Sequence, residues 1–321
     1  MSKVTKVILI TAVSLIALGV ILTVVGVVVL RNTAKKNEKK AREYEHKIEV
    51  ITDGFASLDI SEISENVEIR PSEDGEITVD YYDAPDYEHK IEIVNDTLKV
   101  SVKTYDDDAP WWQRFTFYVD LEFEDLTFGI NDNGTHPTVI YIPEDSYGNL
   151  KIYTVSGDVI VPEDYSFNGM EIDTTSGDIV TECVATGDVD ISTTSGEVRT
   201  VNIRAASAEI STTSGNITLS DDNVSGTVDI NTVSGEVKLA DTESSKLEVS
   251  TVSGDVRLDR VTADKANITT TSGDVTGTVT GEHRFEVDTT SGDVDVPSGS
   301  RDGSLFEIDT VSGDVDIKEA A

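Results

Sequence analysis

The chain has 321 residues, of which 61 are Asp or Glu and 25 are Lys or Arg, giving a formal net charge of −36. This acidity excludes a nucleic-acid partner, because binding to phosphates depends on clustered Lys and Arg side chains. The single cysteine, Cys183, excludes an intramolecular disulfide framework and a metal site built from several thiolates.

The N-terminal segment predicts a membrane anchor. Residues 7–30 form 24 consecutive residues without a charge. A helix of that length rises about 36 Å, which is enough to cross a hydrocarbon core, and the stretch is longer than the apolar part of a cleavable signal peptide. We therefore expect a short tail at residues 1–6 and a single-pass transmembrane helix at residues 7–30, so that the membrane is one partner of the chain.

Residues 31–49 predict a basic juxtamembrane linker. Two lysines precede the span and six basic residues follow it, between Arg31 and Arg42. Taken alone, the positive-inside rule would place the large domain in the cytoplasm, but long domains cross the membrane largely regardless of charge. The linker fits a solvated stalk and also a basic collar that contacts anionic lipid headgroups. The acidity lies beyond it, since residues 51–321 hold 57 acidic and 16 basic side chains.

Residues 50–148 predict an irregular β cap. Apolar and polar residues alternate in short runs such as 77–79 and 115–119, which is typical of strands. The open end of a repeat structure exposes unpaired strand edges and needs a cap. Trp111 and Trp112 follow an acidic loop in this region. They either pack within the cap or form an interaction patch for a partner or the membrane interface.

Residues 149–321 contain one phrase nine times: Thr, then Thr or Val, then Ser-Gly, an acidic residue or Asn, and Val or Ile. The copies begin at Thr154, Thr174, Thr193, Thr212, Thr232, Thr251, Thr270, Thr289 and Thr310. Their separations are 19 to 21 residues, which leaves no room for a crossover helix. The spacing predicts an all-β protein with a parallel β-solenoid of about nine coils of ~19 residues.

Alternation within each coil predicts which side chains face the core. In one coil the expected inward positions are Val228, Ile230, Thr232, Ser234, Val237 and Leu239. We expect the inward Thr and Ser to satisfy backbone groups at the corner. We expect the phrase glycine to adopt a positive φ there.

The residue after the phrase glycine forms a predicted acidic column. Its members are Asp158, Asp178, Glu197, Glu236, Asp255, Asp274, Asp293 and Asp314, with Asn216 at the equivalent position of one coil. Stacked carboxylates repel one another, and a cation could relieve the repulsion. Calcium needs six to eight converging oxygen ligands, whereas the column offers about one carboxylate per coil. We expect diffuse calcium association at most, and no defined cofactor or metal site.

Catalytic spacing does not stand out. The four histidines, His46, His89, His136 and His283, are scattered along the chain. Acidic residues are so numerous that chance pairs carry no information. We therefore expect a protein that is not an enzyme. The alternative of a polysaccharide-acting enzyme on a β-helix requires a groove with converging acids and bases.

The strand at residues 138–143, the next at 150–152, and the reiterated Thr-Ser-Gly-Asp phrases resemble the bacterial "putative adhesin" family of β-strand-repeat proteins. That family is largely of unknown function and includes the membrane-anchored member of an operon that responds to cell-envelope stress. The resemblance implies a solenoid at the cell envelope, outside the cytoplasm, and brings no catalytic residue with it.

These features together favour a non-enzymatic, membrane-anchored solenoid that acts as an adhesin-like or stress-response interaction module of the cell envelope. Its partner would be an unidentified protein or cell-wall component. The alternative is a structural scaffold that self-assembles by end-to-end stacking of coils. No capping helix follows residues 315–318, so we expect an open edge at that coil.

Overall fold

The computed structural model describes residues 44–85, 87–103, 136–300 and 303–320, and these residues form strands and turns without a helix. The predicted anchor at residues 7–30, most of the linker, and both tryptophans lie outside these ranges. No helix in the described part is long and apolar enough to span a membrane.

The strands are short and follow one another through tight corners. In the first half of the chain they are β1 Glu45–Ile51, β2 Ser57–Ser61, β3 Val67–Pro71, β4 Ile77–Asp83, β5 Glu88–Val94, β6 Thr97–Lys103, β7 Thr138–Ile142, β8 Ser146–Tyr153, β9 Val159–Val161, β10 Ser166–Asp173, β11 Ile179–Thr181, β12 Val184–Ala185 and β13 Asp188–Ser192. In the second half they are β14 Val198–Val201, β15 Arg204–Ala205, β16 Ser207–Ser211, β17 Ile217–Ser220, β18 Asn223–Asn231, β19 Val237–Ala240, β20 Glu243–Ser250, β21 Val256–Thr269, β22 Val275–Thr280, β23 His283–Thr289, β24 Val294–Asp295, β25 Ser304–Thr310 and β26 Val315–Ala320.

Two sheets face each other across one apolar core. Sheet A has the order β1, β4, β7, β3, β9, β11, β14, β17, β19, first part of β21, β22, β26, β24. Sheet B has the order β5, β6, β2, β8, β10, β13, β16, β18, β20, last part of β21, β25, β23. Each coil contributes one strand to each sheet, and coils pair in parallel. The predicted all-β parallel solenoid is therefore confirmed.

The core follows the predicted alternation with one exception. Val228, Ile230, Thr232, Val237 and Leu239 are buried, and the four apolar residues stack in register on their counterparts in the next coil. The exception is Ser234, which is exposed and lies on the outside of the corner. The interior is therefore built from ladders of β-branched and Leu side chains, closed at the corner by threonine.

The first corner of each coil is set by the threonine and glycine of the phrase. The Oγ1 of Thr174 accepts a hydrogen bond from the backbone N–H of Gly177 at 3.1 Å, and Thr193 bonds Gly196 in the same way. The expected role of threonine is thus confirmed. The expected positive φ of the phrase glycine is wrong, because the positive-φ glycines are elsewhere. The glycine is required for another reason: it approaches the carbonyl oxygen of the preceding coil too closely for a side chain.

The second corner of several coils does use left-handed backbone. Asn202, Asp221, Asp241 and Arg260 occupy equivalent positions, with φ between 49° and 61°. Asn and Asp tolerate this conformation because their short side chains bond nearby backbone groups. Each corner carries the chain from sheet A of one coil to sheet B of the next.

At the C-terminal end the coils are not stacked in chain order. Strand β25 lies between β21 and β23, so that Leu305 is the register partner of both Lys265 and Arg284. Strand β26 likewise lies between β22 and β24, with Val315 opposite Val275 and Val294. The coil formed by residues 303–320, here called the C-terminal coil, is thus covered by residues 283–295, here called the covering coil. The open edge predicted at residues 315–318 is therefore wrong.

The N-terminal end repeats this arrangement. Strand β2 lies between β6 and β8, and β3 lies between β7 and β9. The coil of residues 57–71 is thus inserted beneath the coil formed by β6 and β7. Beyond it, β4 and β1 add to sheet A and β5 adds to sheet B, all in antiparallel pairings. The cap predicted over residues 50–148 therefore contains parallel coils of the same stack together with an antiparallel edge.

Candidate functional site

The acidic column stacks along one corner, where its aspartates bond the backbone of the next coil. The Oδ1 of Asp158 accepts the N–H of Asp178 at 2.9 Å, and the Oδ1 of Asp178 accepts the N–H of Glu197 at 2.7 Å. The same bond recurs from Asp255 to Asp274, from Asp274 to Asp314, from Asp314 to Asp293, and from Asn216 to Glu236. Aspartate and asparagine are suited to this role because their side-chain oxygen reaches a neighbouring N–H.

This geometry accounts for the column as part of the fold. The side chain of Asn66 begins it by accepting the N–H of Asp158 at 2.9 Å. Glu236 pairs with Arg257 of the next coil, with 3.0 Å between Oε1 and Nε. Within the four described ranges, no three His, Cys, Asp or Glu side chains converge as a metal ion would require.

The outward face of sheet B carries a second line of carboxylates that the repeat phrase does not reveal. Its members, here called the acidic ladder, are register partners in successive coils: Glu171, Asp190, Glu209, Asp229 and Glu248. Neighbouring strands are about 4.8 Å apart, so like charges face one another along the rod. The ladder begins beside Lys151, which forms an ion pair with Glu171.

The ladder carboxylates differ in their pKa. Burial raises the pKa of Asp190, and the charges of Asp173, Glu209 and Glu171 raise it further. Burial also raises the pKa of Asp229, against the effect of a hydrogen bond from Asn231. At the end of the ladder the hydrogen bond from Lys151 lowers the pKa of Glu171. Lys246 pairs with Glu248 at 2.7 Å at the other end of the ladder, and its charge lowers the pKa of Asp229. The cations therefore lie at the two ends of the ladder, with the carboxylates of Asp190 and Glu209 between them.

The outward face of sheet A has the opposite character. Its central line contains Arg199, Lys238 and Arg257, here called the basic column, interspersed with uncharged residues. Arg199 pairs with Glu182 at 3.1 Å and Arg257 pairs with Glu236, so two of the three cations are balanced within the chain. The two broad faces of the rod consequently present different chemistry to a partner.

A buried group of polar residues, here called the histidine cluster, lies at the N-terminal end. It consists of Glu62, Asp83, Tyr87, His89 and Thr138. The Nδ1 of His89 lies 2.8 Å from Asp83 Oδ1, and its Nε2 lies 2.9 Å from Glu62 Oε1. Glu62 also accepts the hydroxyls of Tyr87 at 2.6 Å and of Thr138 at 2.7 Å. Because both ring nitrogens face carboxylates, the imidazole is held as a cation.

The charges of the cluster are paired, and its His89 and Glu62 side chains are buried away from solvent. Burial alone would lower the pKa of His89, but the hydrogen bonds and charges of Glu62 and Asp83 outweigh it and raise the pKa. Lys47 donates to the second oxygen of Asp83 at 2.8 Å. The side chains of His89 and Glu62 are 0% exposed, so no substrate can reach them. The cluster is a structural ion network that ties β4, β5 and β7 to the corner after β2.

The amino-acid sequence alone does not reveal this cluster. Its members come from separate strands, and only the antiparallel edge brings them together. His46 and His136 lie at the same end, where each packs against Tyr82, while His283 lies at the opposite end. The predicted interaction patch at Trp111 and Trp112 lies outside the described residues.

These observations define a class of protein: a parallel β-solenoid of short coils, each with a repeated corner phrase, whose two sheets form two broad outer faces. The chain belongs to the Toastrack DUF4097 family, whose model matches residues 55–318. The family resemblance expected from the repeat phrase is thereby confirmed. No curated protein matches the chain in sequence.

Several solved structures are similar to the chain. One is a putative lipid binding protein from Parabacteroides distasonis, with 16% identity, a TM-score of 0.48, and coverage of 85% of this chain and 96% of that one. Another is a putative adhesin from Bacteroides fragilis, with 11% identity, a TM-score of 0.41, and coverage of 88% and 100%. A third is a putative adhesin from Parabacteroides merdae, with 12% identity, a TM-score of 0.40, and coverage of 87% and 97%. At these identities and TM-scores, none of them defines a ligand or activity for this chain.

Proposed function

We propose that this chain is a non-enzymatic, membrane-anchored interaction module of the cell envelope. Residues 7–30 would hold it in the membrane, and the solenoid would stand outside the cytoplasm and bind a protein or cell-wall partner. The observation that carries the proposal is the difference between the two faces of the rod. A rigid, periodic acidic ladder suits a partner with repeated positive charge, because complementary potentials guide and orient association.

The enzymatic alternative receives no support from the histidine cluster. Thr138, His89 and Asp83 are neighbours there in the order in which a nucleophile, a base and an orienting acid would stand. The Thr138 hydroxyl, however, donates to Glu62 and is 3.5 Å from His89 Nε2. A nucleophile needs access to its substrate and a base free to take its proton. Both requirements fail at this position, since Thr138 is fully buried and His89 already faces two carboxylates.

Protease treatment of intact cells tests the location. If the domain is outside the cytoplasm, residues 50–321 should be degraded in intact cells while a cytoplasmic marker survives. Survival of the domain in intact cells, followed by its loss after lysis, would place it inside and contradict the proposal. Extraction of membranes at alkaline pH tests the anchor separately, because an integral helix stays in the pellet and a peripheral protein does not.

Charge neutralisation tests the ladder. The full chain in lipid nanodiscs should co-sediment with purified cell-wall fragments, and the triple variant Asp190→Asn, Glu209→Gln, Asp229→Asn should bind at least about ten-fold more weakly. A matched control with the same charge change is Glu144→Gln, Glu163→Gln, Asp264→Asn, which alters exposed acids away from the ladder. Equal binding by the two triple variants would show that the ladder is not the binding face.

A further inference from the structure

The C-terminal coil fills a slot in the stack. Phe306, Ile308, Val315 and Ile317 are buried there, against β21 and β22 on one side and the covering coil on the other. The ring of Phe306 packs edge-on against His283 of the covering coil, with 4.6 Å between centroids. The slot is thus complementary in register, corner and core to one strand–turn–strand segment.

The phrase that fits the slot occurs twice in succession. Residues 287–296 read VDTTSGDVDV and residues 308–317 read IDTVSGDVDI, so the two segments have Val or Ile at the same positions and the same corner phrase. The glycines show the order: a Cβ on Gly313 would meet the carbonyl of Gly273, and a Cβ on Gly292 would meet the carbonyl of Gly313. The slot therefore fits a strand–turn–strand segment of a kind that this chain itself contains.

The covering coil is the less firmly held of the two. The covering coil is paired on one side only, through seven residues of β23 with β25 and two of β24 with β26. The C-terminal coil has these pairings and also five with β21 and six with β22. Val294 is 47% exposed, and the Oγ1 of Thr289 is buried without a hydrogen-bond partner in the described structure. Segments with few buried contacts and unsatisfied groups open first, at a cost well below global unfolding.

We propose that the C-terminal coil is exchanged between two copies of this chain. Opening of the covering coil frees residues 303–320, and the same segment of a second copy then fills the slot in the same register. The chain leaves the covering coil through Pro297, Ser298, Gly299 and Ser300, and Gly299 has a φ of +65°. Reciprocal exchange is a closed, two-fold arrangement, and it makes no contact that the single chain lacks. This inference goes beyond the proposed function and does not depend on membrane anchoring.

Disulfide trapping between differently tagged chains tests the exchange. Leu305 has Lys265 on one side and Arg284 on the other, and adjacent strands bring Cα atoms to the separation that a disulfide needs. Two full-length single variants, Leu305→Cys and Arg284→Cys, are expressed together with tags of different size and oxidised. A second mixture pairs Leu305→Cys with Lys265→Cys. Burial raises the pKa of the native Cys183 thiol to about 12, so that this cysteine stays unreactive.

Exchange predicts disulfides between chains in both mixtures, because only insertion places residue 305 beside both neighbours. The matched control mixture is Lys246→Cys with Lys265→Cys, two register partners in coils that follow one another in the chain. We expect at least about ten-fold more mixed dimer in the test mixtures than in this control. The double variant Arg284→Cys, Leu305→Cys in one chain reports the register by forming a disulfide between these two positions, which lies within one chain without exchange and between two chains with it. An internal disulfide there, with test mixtures no higher than the control, would overturn the exchange. A double variant that forms no disulfide between these positions, either within or between chains, would overturn the register on which the exchange rests.

Discussion

The carbonyl oxygen of Gly177 lies where a side chain on Gly196 would begin: a Cβ built on Gly196 would be 1.8 Å from that oxygen. The obstructing atom belongs to the backbone of the preceding coil and cannot rotate away. The same close approach recurs up the stack, for example from Gly215 to Gly235. The glycine of the repeat phrase is therefore required by the distance between coils.

Substitution of Gly196 by alanine should destabilise the solenoid by about 3 kcal/mol or more, since the coils must move apart to admit the methyl group. The urea midpoint followed by circular dichroism measures the effect. Gly54→Ala is the control, because a Cβ there meets no atom within 4 Å. The free energy of unfolding of this control should stay within about 0.5 kcal/mol of that of the unaltered chain. Equal effects of the two substitutions would contradict the close-approach argument.

Substitution in the acidic column separates a hydrogen-bond role from a charge role. Asp178→Ala removes the acceptor of the Glu197 N–H and should cost about 1 kcal/mol. Asp178→Asn keeps an acceptor oxygen and removes one repelling charge, so it should be at least as stable as the unaltered chain. Chemical denaturation of the three proteins provides the comparison. If asparagine were as harmful as alanine, the carboxylate charge itself would be needed.

Calcium should act on the column only as a screening cation. The Oδ1 atoms of Asp158, Asp178 and Asp274 already accept backbone hydrogen bonds, and a calcium ion requires six to eight converging oxygens. Calcium and magnesium at equal millimolar concentration should therefore shift the Tm equally in differential scanning calorimetry. A larger, saturable shift with calcium alone would reveal a defined site.

The buried carboxyl of Asp222 should make the free energy of unfolding fall as the pH rises from about 4 to about 6. Burial raises its pKa from 3.8 to about 6, although hydrogen bonds from Thr200 and the Ile203 N–H oppose the shift. The folded state thus binds the proton more tightly than the unfolded chain, and stability present below pH 4 is lost as the group ionises. The loss is at most about 3 kcal/mol.

Asp222→Asn tests this prediction, because asparagine keeps an oxygen for the Ile203 N–H and does not titrate. The free energy of unfolding is measured from pH 3.5 to pH 8 for both proteins. Above pH 6 the variant should be the more stable, and the difference should disappear near pH 4. A constant difference across this range would show that Asp222 does not titrate with a raised pKa.

His89 should contribute stability that is lost on the alkaline side. Its folded-state pKa is raised above 6.5, so its contribution is complete below that value and declines as the pH rises through the folded-state pKa. His89→Gln leaves Glu62 and Asp83 buried without their shared cation and should cost about 3–5 kcal/mol at pH 6.

The measurement is urea unfolding at several pH values from 6 to 9.5. The difference in free energy of unfolding between His89→Gln and the unaltered chain should become smaller at the alkaline end of this range. His46→Gln is the control, because the His46 side chain is 47% exposed and bonds Asp80 at the surface; its effect should be below about 1 kcal/mol. A gap for His89→Gln that does not change with pH would mean that the buried imidazole is not charged.

The coils themselves could be predicted because their information is local. A strand, a corner and a second strand fit within about 19 residues, and alternation around Ile230 shows which side chains enter the core. The acidic column was predictable for the same reason, since Asp178 and its counterparts stand at one position of a repeated phrase. The backbone bond of the Asp178 carboxylate was not predictable, because it depends on the distance to the next coil.

The acidic ladder and the histidine cluster needed the structure. Asp190 and Glu209 are charged residues in a chain full of them, and only the strand register brings them opposite one another. Glu62 and His89 meet because β6 pairs in parallel with β2 and antiparallel with β5. Thr138 joins them from β7, 49 residues further along the chain than His89. Contacts of that separation are chosen by competition among many strand pairings, which composition and spacing do not resolve.

By itself the sequence determined that this chain stacks short parallel coils, because a period near 19 residues with alternating apolar positions has one way to bury its core. The order of the coils at the two ends was decided only by the tertiary structure. Residues 287–296 and 308–317 carry nearly the same phrase, so either segment satisfies the inner position locally. The choice falls to the longer pairing of β26 with β22 and to the packing of Phe306 against His283.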